Sequence, residues 1–293
     1  MPHYVEPLFR PPSEARSLIF QITIGCSQNH CNFCGMYKGK KFRLKPVGEV
    51  RDEIVSLPSQ YRSQVDRVFL ADGDALVYPF DGLMAILDDL AAFFPRLARV
   101  GSYASPNSLT TKSAAELALL RGKGLSILYF GLESGDDLTL KSISKGFDAA
   151  TMAELALKAR GAGIKLSVTA ILGLAGSRRS LDHALATAAW VNLVNPEYFS
   201  LLTLFHRHND DFIRTLQQCS RRELMLEARE IVYNLNPTRT ILRSNHVSNF
   251  LNLAGSYPKD RERIIAAVDG AMERAARVPG FLDGVPENGE EYY

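Results

Sequence analysis

Between residues 17 and 24 apolar and polar positions alternate, several of them β-branched, and the run stops at Gly25 and Cys26. Alternation with period two predicts a strand. Residues 47–57 instead carry apolar side chains at helical spacing and stop before Pro58, and 67–71 is a short apolar run cut off by Asp72, Gly73 and Asp74. These predict a helix and then a strand. The succession continues with helices at 81–94, 112–121, 149–160 and 180–193 and strands at 99–104, 125–132, 165–172 and 198–205. Repeated strand-then-helix units imply an α/β chain with a parallel sheet, because each helix returns the chain by a right-handed crossover. The expected fold is a partial (β/α)6 TIM-like barrel whose polar strand ends converge on one face.

Beyond Phe205 the periodicity changes. Amphipathic helices are predicted at 221–234 and 260–277, separated by the polar run Arg243 to Asn249, which suggests a helical C-terminal cap on the barrel mouth. The last fifteen residues, rich in Pro, Gly, Asn and Glu, read as a loosely held tail. The parse is an N-terminal extension at 1–16, the barrel at 17–206, the helical cap at 207–278 and the tail at 279–293.

Composition narrows the function. Of 293 residues, 46% are hydrophobic and 23% charged, enough to bury a real core. The net charge of +2, from 34 basic and 32 acidic residues, argues against a broad grip on nucleic acid. No run of eighteen apolar residues occurs, and the start of the chain lacks the basic and apolar stretches of a signal peptide, so a cytoplasmic protein without membrane partners is expected.

Four cysteines are too few for a disulfide scaffold, and three of them, Cys26, Cys31 and Cys34, fall within nine residues with the spacing C-x4-C-x2-C. That clustering points to a metal. One reading is a tetrahedral zinc site completed by His30. A second is a plant-type ferredoxin centre, whose fourth ligand could only be Cys219, far downstream in a chain whose pattern is wrong for a small ferredoxin. The third is a [4Fe-4S] cluster held by three thiolates, with one iron open to a ligand from outside the chain.

On this last reading the chain resembles the radical S-adenosylmethionine (SAM) superfamily. The usual family motif is C-x3-C-x2-C with an aromatic residue before the last cysteine; Phe33 fills that position, and one extra residue separates the first two cysteines. The resemblance continues at the strand ends in the expected order. Ala71-Asp72-Gly73-Asp74 follows the second strand, where the family binds the SAM amino group, which implies Asp74 first and Asp72 second, with Gly73 between them. Gly131-Leu132-Glu133-Ser134-Gly135 resembles the branch containing tRNA methylthiotransferases and oxygen-independent coproporphyrinogen oxidases; Glu133 would bind the ribose hydroxyls, with Ser134 beside it. Ile171-Leu172-Gly173 is similar to the turn lying against the adenine in that branch, which makes Ile171 and Gly173 cofactor residues. The C-terminal part is similar to uncharacterised iron-sulfur oxidoreductases.

The resemblance implies an enzyme with a [4Fe-4S] cluster and SAM as cofactors. One electron, from a donor such as flavodoxin or ferredoxin, would cleave SAM to methionine and a 5'-deoxyadenosyl radical that takes hydrogen from a small-molecule or peptide substrate. The alternatives are a non-catalytic zinc- or iron-sulfur-binding protein and an RNA-modifying radical enzyme. Candidates for substrate contact are His206, His208, Arg243 and His246, with Arg207 and Asn249 nearby; a solvated basic loop and ordinary capping bonds are the competing readings. Cys219 reads as a small buried filler more than as a radical-quenching thiol. Tyr37, Lys38, Lys40, Lys41 and Arg43 read as a solvated basic loop after the cysteines, with Arg43 able to reach an anion.

Overall fold

The structure, a computed structural model, describes residues 3–205, 209–246, 249 and 251–285. The chain begins with β1 (Leu18–Gln21), β2 (Thr23–Ile24), β3 (Arg43–Leu44), α1 (Val47–Ser56) and α2 (Ser59–Arg62). It continues through β4 (Arg67–Ala71), α3 (Phe80–Phe93), β5 (Arg99–Ala104), α4 (Pro106–Thr110), α5 (Ala114–Gly122) and β6 (Leu125–Glu133). Then follow α6 (Asp137–Ser142), α7 (Ala149–Gly161), β7 (Lys165–Leu172), α8 (Gly176–Val194), β8 (Tyr198–Thr203) and α9 (Asp210–Thr215). The described chain closes with α10 (Arg221–Asn234), β9 (Ile241–Ser244), β10 (Leu253–Ser256) and α11 (Arg261–Ala276).

Eight strands form one mostly parallel sheet in the order β1-β4-β5-β6-β7-β8-β9-β10. Its six strand-and-helix repeats carry the topology expected of a partial TIM-like barrel. Each predicted parallel strand has its counterpart in this sheet. Two compact units share the strands: one comprises residues up to 30, 36–130 and 154–166, the other 31–35, 131–153 and from 167 onward. Among the described residues no helix is long and apolar enough to cross a membrane.

In the first unit β1, β4, β5 and β6 run parallel, with Phe20 opposite Leu70 and Phe69 opposite Gly101. Four of the five β4 residues are buried, as a central parallel strand requires. Helix α3 buries Leu83, Ile86, Leu87 and Leu90, the stripe its spacing dictates. The expected single strand at 17–24 is two: the Ile22 amide still bonds to Ala71, but its carbonyl accepts from Lys45, and β2 turns away to pair with β3. That departure frees the chain after Ile24 to become the cysteine loop.

The second unit holds β7, β8 and β9 in parallel register and β10 antiparallel on β9. These last two strands correct the expectation of a purely helical C-terminal cap. In β9 the alternation Leu242 in, Arg243 out, Ser244 in is a strand signal hidden by polar residues on a four-residue element. Part of the segment expected to be a loose tail is also held, since Leu282 is buried and the Leu282 and Gly284 carbonyls accept from the Arg222 and Arg221 amides that open α10. Residues 286–293 lie outside the described set.

The segment before the barrel contributes Glu14, which is fully buried and accepts from Arg99 Nη2 at 2.6 Å, Tyr129 Oη and Ser17 Oγ. A carboxylate so placed is tolerable only because every donor is present. Changing Glu14 to Ala strands Arg99 and Tyr129 and should destabilise the chain by about 3 kcal/mol, measured by denaturant unfolding.

Candidate functional site

The cysteine loop starts where β2 ends, and two carboxylates that follow β4 hold it. Asp72 Oδ2 accepts from the Gly25 amide at 2.9 Å, from Gln21 Nε2 at 2.8 Å and from Lys40 Nζ at 2.9 Å. The Lys40–Asp72 ion pair is almost wholly out of solvent, the two side chains being 4% and 0% exposed. Lys40 spends its other protons on the Val5 and Pro7 carbonyls at 2.5 and 2.6 Å. Burial lifts the Asp72 carboxyl above its ordinary range, while the bonds from Lys40, Gly25 and Gln21 pull it down. Asp74, also fully buried, accepts the Ser105 amide at 2.9 Å, Ser105 Oγ at 2.7 Å and Ser27 Oγ. Ser105 is at the same time the N-cap of α4. The two acids therefore grip the residues on either side of Cys26.

Gly73, between them, has no room for a side chain. A Cβ there would lie 2.5 Å from the Tyr37 ring and 3.0 Å from Cys26 Cβ. Tyr37 is buried, with Phe9 edge-on at 5.5 Å and Lys40 Nζ 5.4 Å above its ring. Tyr37 and Lys40 thus correct the expectation of a solvated basic loop: the burial of Asp72 demands a counter-charge, and Lys40 supplies it. Arg43 remains exposed on β3.

Cys31, Phe33 and Cys34 belong to the five-residue piece that groups with the second unit. Backbone and side chain of Asn32 bond to the Ile143 and Ser142 carbonyls at the end of α6. The carbonyl of Phe33 accepts from Asn209 Nδ2 at 2.6 Å, and the same amide reaches Phe205 at 2.7 Å. Cys31 is buried and Cys26 and Cys34 are partly exposed; none of the four cysteines, all among the described residues, is in a disulfide. Among the described residues no group of three or more His, Cys, Asp or Glu side chains is arranged to hold a single metal ion.

In the second unit, Glu133 ends β6 with φ 64°, a conformation uncommon for a residue with a side chain, and its carboxylate meets Lys145 Nζ at 3.0 Å. Ser134 Oγ lies 2.7 Å from His183 Nδ1 and accepts the Asp136 amide at 3.0 Å. The chain after β7 turns at Gly173, φ 79°, with its amide donating to Glu227 Oε1 at 2.7 Å. Ile171, two residues earlier, is half-buried in β7 opposite Leu202. Glu227 also accepts from Ser180 Oγ, and its Oε1 is 3.5 Å from His183 Nε2. Burial pushes Glu227 up to about 7, helped by Glu223 and opposed by the bonds from Ser180 and Gly173. Burial likewise pushes His183 down to about 4, against Asp136 and an Ile171 backbone bond. Cys219 is buried, its thiol pushed up to about 12 by burial and by Glu227 and Glu223.

Of the substrate-contact candidates, Arg243 projects exposed from β9, and His246 meets the Phe205 ring edge-on at 5.6 Å, burial lowering its pKa. Asn249 is engaged by Thr203, Leu201 and Ser244. His206, Arg207 and His208 lie outside the described residues. The structure thus groups Asp72, Gly73 and Asp74 around Cys26, and Ser134 and Gly173 around His183 and Glu227, while Glu133 meets Lys145. Lys40, His183, Asn209 and Glu227 carry no sequence signal beyond their residue type.

The donor set fits an iron-sulfur cluster. Three cysteines within nine residues of sequence supply the soft thiolates that such a centre takes. Comparison with known proteins agrees. The Radical SAM superfamily matches residues 20–187, more than half the chain, and the chain belongs to that family, whose members are enzymes. Its cofactors are accordingly a [4Fe-4S] cluster and SAM. Similar solved structures include the radical SAM coproporphyrinogen III oxidase HemN from Escherichia coli, 16% identical with TM-score 0.55 over 74% of this chain and 51% of that one. HydG, a maturase of the [FeFe]-hydrogenase, is 17% identical with TM-score 0.51 over 86% and 55%, and methylornithine synthase PylB 12% with 0.51 over 89% and 81%. At such identities they share the fold, and the chain spans about half the length of HemN and HydG. No curated protein matches.

Two predictions follow from the buried charges. Lys40→Met leaves Asp72 buried and unpaired and should cost about 3–5 kcal/mol in denaturant unfolding, with Asp72→Asn in the same chain recovering much of the loss. The pair in the second unit has opposing pH dependences. Raised from 4.5 to about 7, Glu227 contributes stability that is complete below 4.5 and lost as pH rises to 7. Lowered from 6.5 to about 4, His183 contributes stability that is complete above 6.5 and lost as pH falls. Thermal melts between pH 4.5 and 7 should therefore show Glu227→Gln losing stability toward acid and His183→Gln losing it toward neutrality, with the wild type flatter than either.

Proposed function

We propose that Cys26, Cys31 and Cys34 hold a [4Fe-4S] cluster with one iron open to SAM, and that the protein is a radical enzyme acting on a small-molecule or peptide substrate. The observation that carries this reading is the bracing of Cys26 by Asp72 and Asp74 through Gly25 and Ser27. A loop that gains nothing from rigidity would not need two buried carboxylates. When bound, cluster and SAM supply one-electron reductive cleavage of the sulfonium and removal of a hydrogen atom from substrate.

The chain's own residues do the rest. Asp72 and Lys40 set the backbone at Gly25, and Asp74 ties Ser27 to the start of α4. Asn209 and Asn32 fix the segment carrying Cys31 and Cys34. Glu133, held by Lys145, and the turn at Gly173 offer a carboxylate and a backbone surface for the ribose and adenine of SAM. Asp74 and Oδ2 of Asp72 serve by position, since the donors they accept belong to the protein. Such positioning, with water kept out, is what a protein contributes to cofactor chemistry. The electron comes from a donor of the flavodoxin or ferredoxin class.

Anaerobic reconstitution tests the reading. Wild type should take up about four irons per chain, the stoichiometry of the cluster. EPR of the reduced protein should change on adding SAM, with 5'-deoxyadenosine formed. Cys26→Ala, Cys31→Ala and Cys34→Ala should each lose the cluster, while Cys219→Ala should keep it. A signal indifferent to SAM in iron-loaded wild type would overturn the proposal.

A further inference from the structure

Glu227 lies on α10, outside residues 20–187 that match the superfamily, yet its carboxylate carries the amide of Gly173 at the end of β7. It is fully buried together with His183, whose ring is the group of opposite character nearest to it. Glu227 Oε1 comes within 3.5 Å of His183 Nε2 without a hydrogen bond between them, while Nδ1 of the same ring meets Ser134 Oγ, which accepts the Asp136 amide. The bond that Glu227 does make ties α10 to the turn that follows β7. A leucine at 227 would fill the space without the cost of burying a carboxyl group, so volume alone does not explain the residue. The acceptor is needed where a left-handed glycine turns its amide inward.

We propose that Glu227, accepting from Gly173 and Ser180, is a positioning residue that fixes the turn at 173–176 in the arrangement that binds SAM. This rests on the reading above that this turn contacts SAM. Ionised Glu227 can accept from Gly173 and Ser180 with both oxygens; protonated, it must give one oxygen over to a hydrogen. SAM affinity should therefore rise with pH through about 7. The other groups facing Glu227 are His183 on α8, Cys219 before α10 and Glu223 on α10 itself, with Asp136 and Arg179 beyond the histidine. His183 near 4 and Cys219 near 12 titrate outside the window used below.

The test measures SAM binding by equilibrium dialysis to anaerobically reconstituted wild type, Glu227→Ala and Glu227→Gln from about pH 5.5 to 8.5, spanning the shifted carboxyl. Iron content is assayed on each sample. Glu227→Ala should retain its iron and bind SAM about tenfold more weakly, the loss of one well-placed hydrogen bond to a charged group. Glu227→Gln, which still accepts from Gly173, should recover most of that affinity and lose the inflection near pH 7. Wild-type affinity and pH profile in both variants would overturn the proposal while leaving SAM binding intact. Iron-loaded wild type that fails to bind SAM would instead overturn the cofactor reading, and this inference with it. Should Glu227→Ala not fold, the pH profile of Glu227→Gln decides: an inflection that persists overturns the proposal.

Discussion

The buried ion pair between Lys40 and Asp72 is the constraint on which the candidate site depends. It joins three stretches: the entry strand through Gln21, the loop start through Gly25 and the opening segment through Val5 and Pro7. A pair this far from water offsets its desolvation through further bonds: Lys40 finds main-chain carbonyls and Asp72 Oδ2 finds Gln21 and Gly25, while Asp72 Oδ1 is buried without a partner among the described residues. The consequence is a cysteine whose backbone is set before any cofactor arrives. Asp74 repeats the device two residues on, this time with hydroxyls and an amide.

Carboxylates thus play two parts in this chain. Glu14 and Asp74 sit where donors satisfy both oxygens, Asp72 where they satisfy Oδ2, and all three act as rivets of the first unit. Glu227 lacks a full positive partner, and its neighbour His183 is driven toward the neutral form. Groups held away from their ordinary ionisation tend to gather at working sites, which is why the second unit's network stands apart from the merely structural ones.

Much of this was legible in the residues. The order of strands and helices followed from apolar spacing because central parallel strands are buried on both faces and helices on one. The cysteine loop was visible because thiolate ligands lie close in sequence. The short strand β9 was not, since Leu242 and Ser244 are too few inward positions to outweigh Arg243 and Asn245. Lys40 was misread for a related reason: a lysine in a basic run gives no hint that an aspartate thirty-two residues later is buried beneath it. Asp72 and Asp74 were singled out by their place after β4, but their partners, Gln21, Ser27 and Ser105, are matters of tertiary geometry. His183 and Glu227 were silent altogether, because a polar residue on the inner face of an amphipathic helix breaks the pattern without announcing why.

The reach of α10 into the turn after β7 has a further consequence. The span common to the superfamily ends at residue 187, and the carboxylate that holds Gly173 comes from beyond it. A chimera that transplanted the common span alone onto a foreign C-terminal segment would inherit every recognisable motif and lack the acceptor behind one of them. In this chain the segment beyond that span is a piece of the scaffold, so change there can retune the core without touching any residue of the matched span.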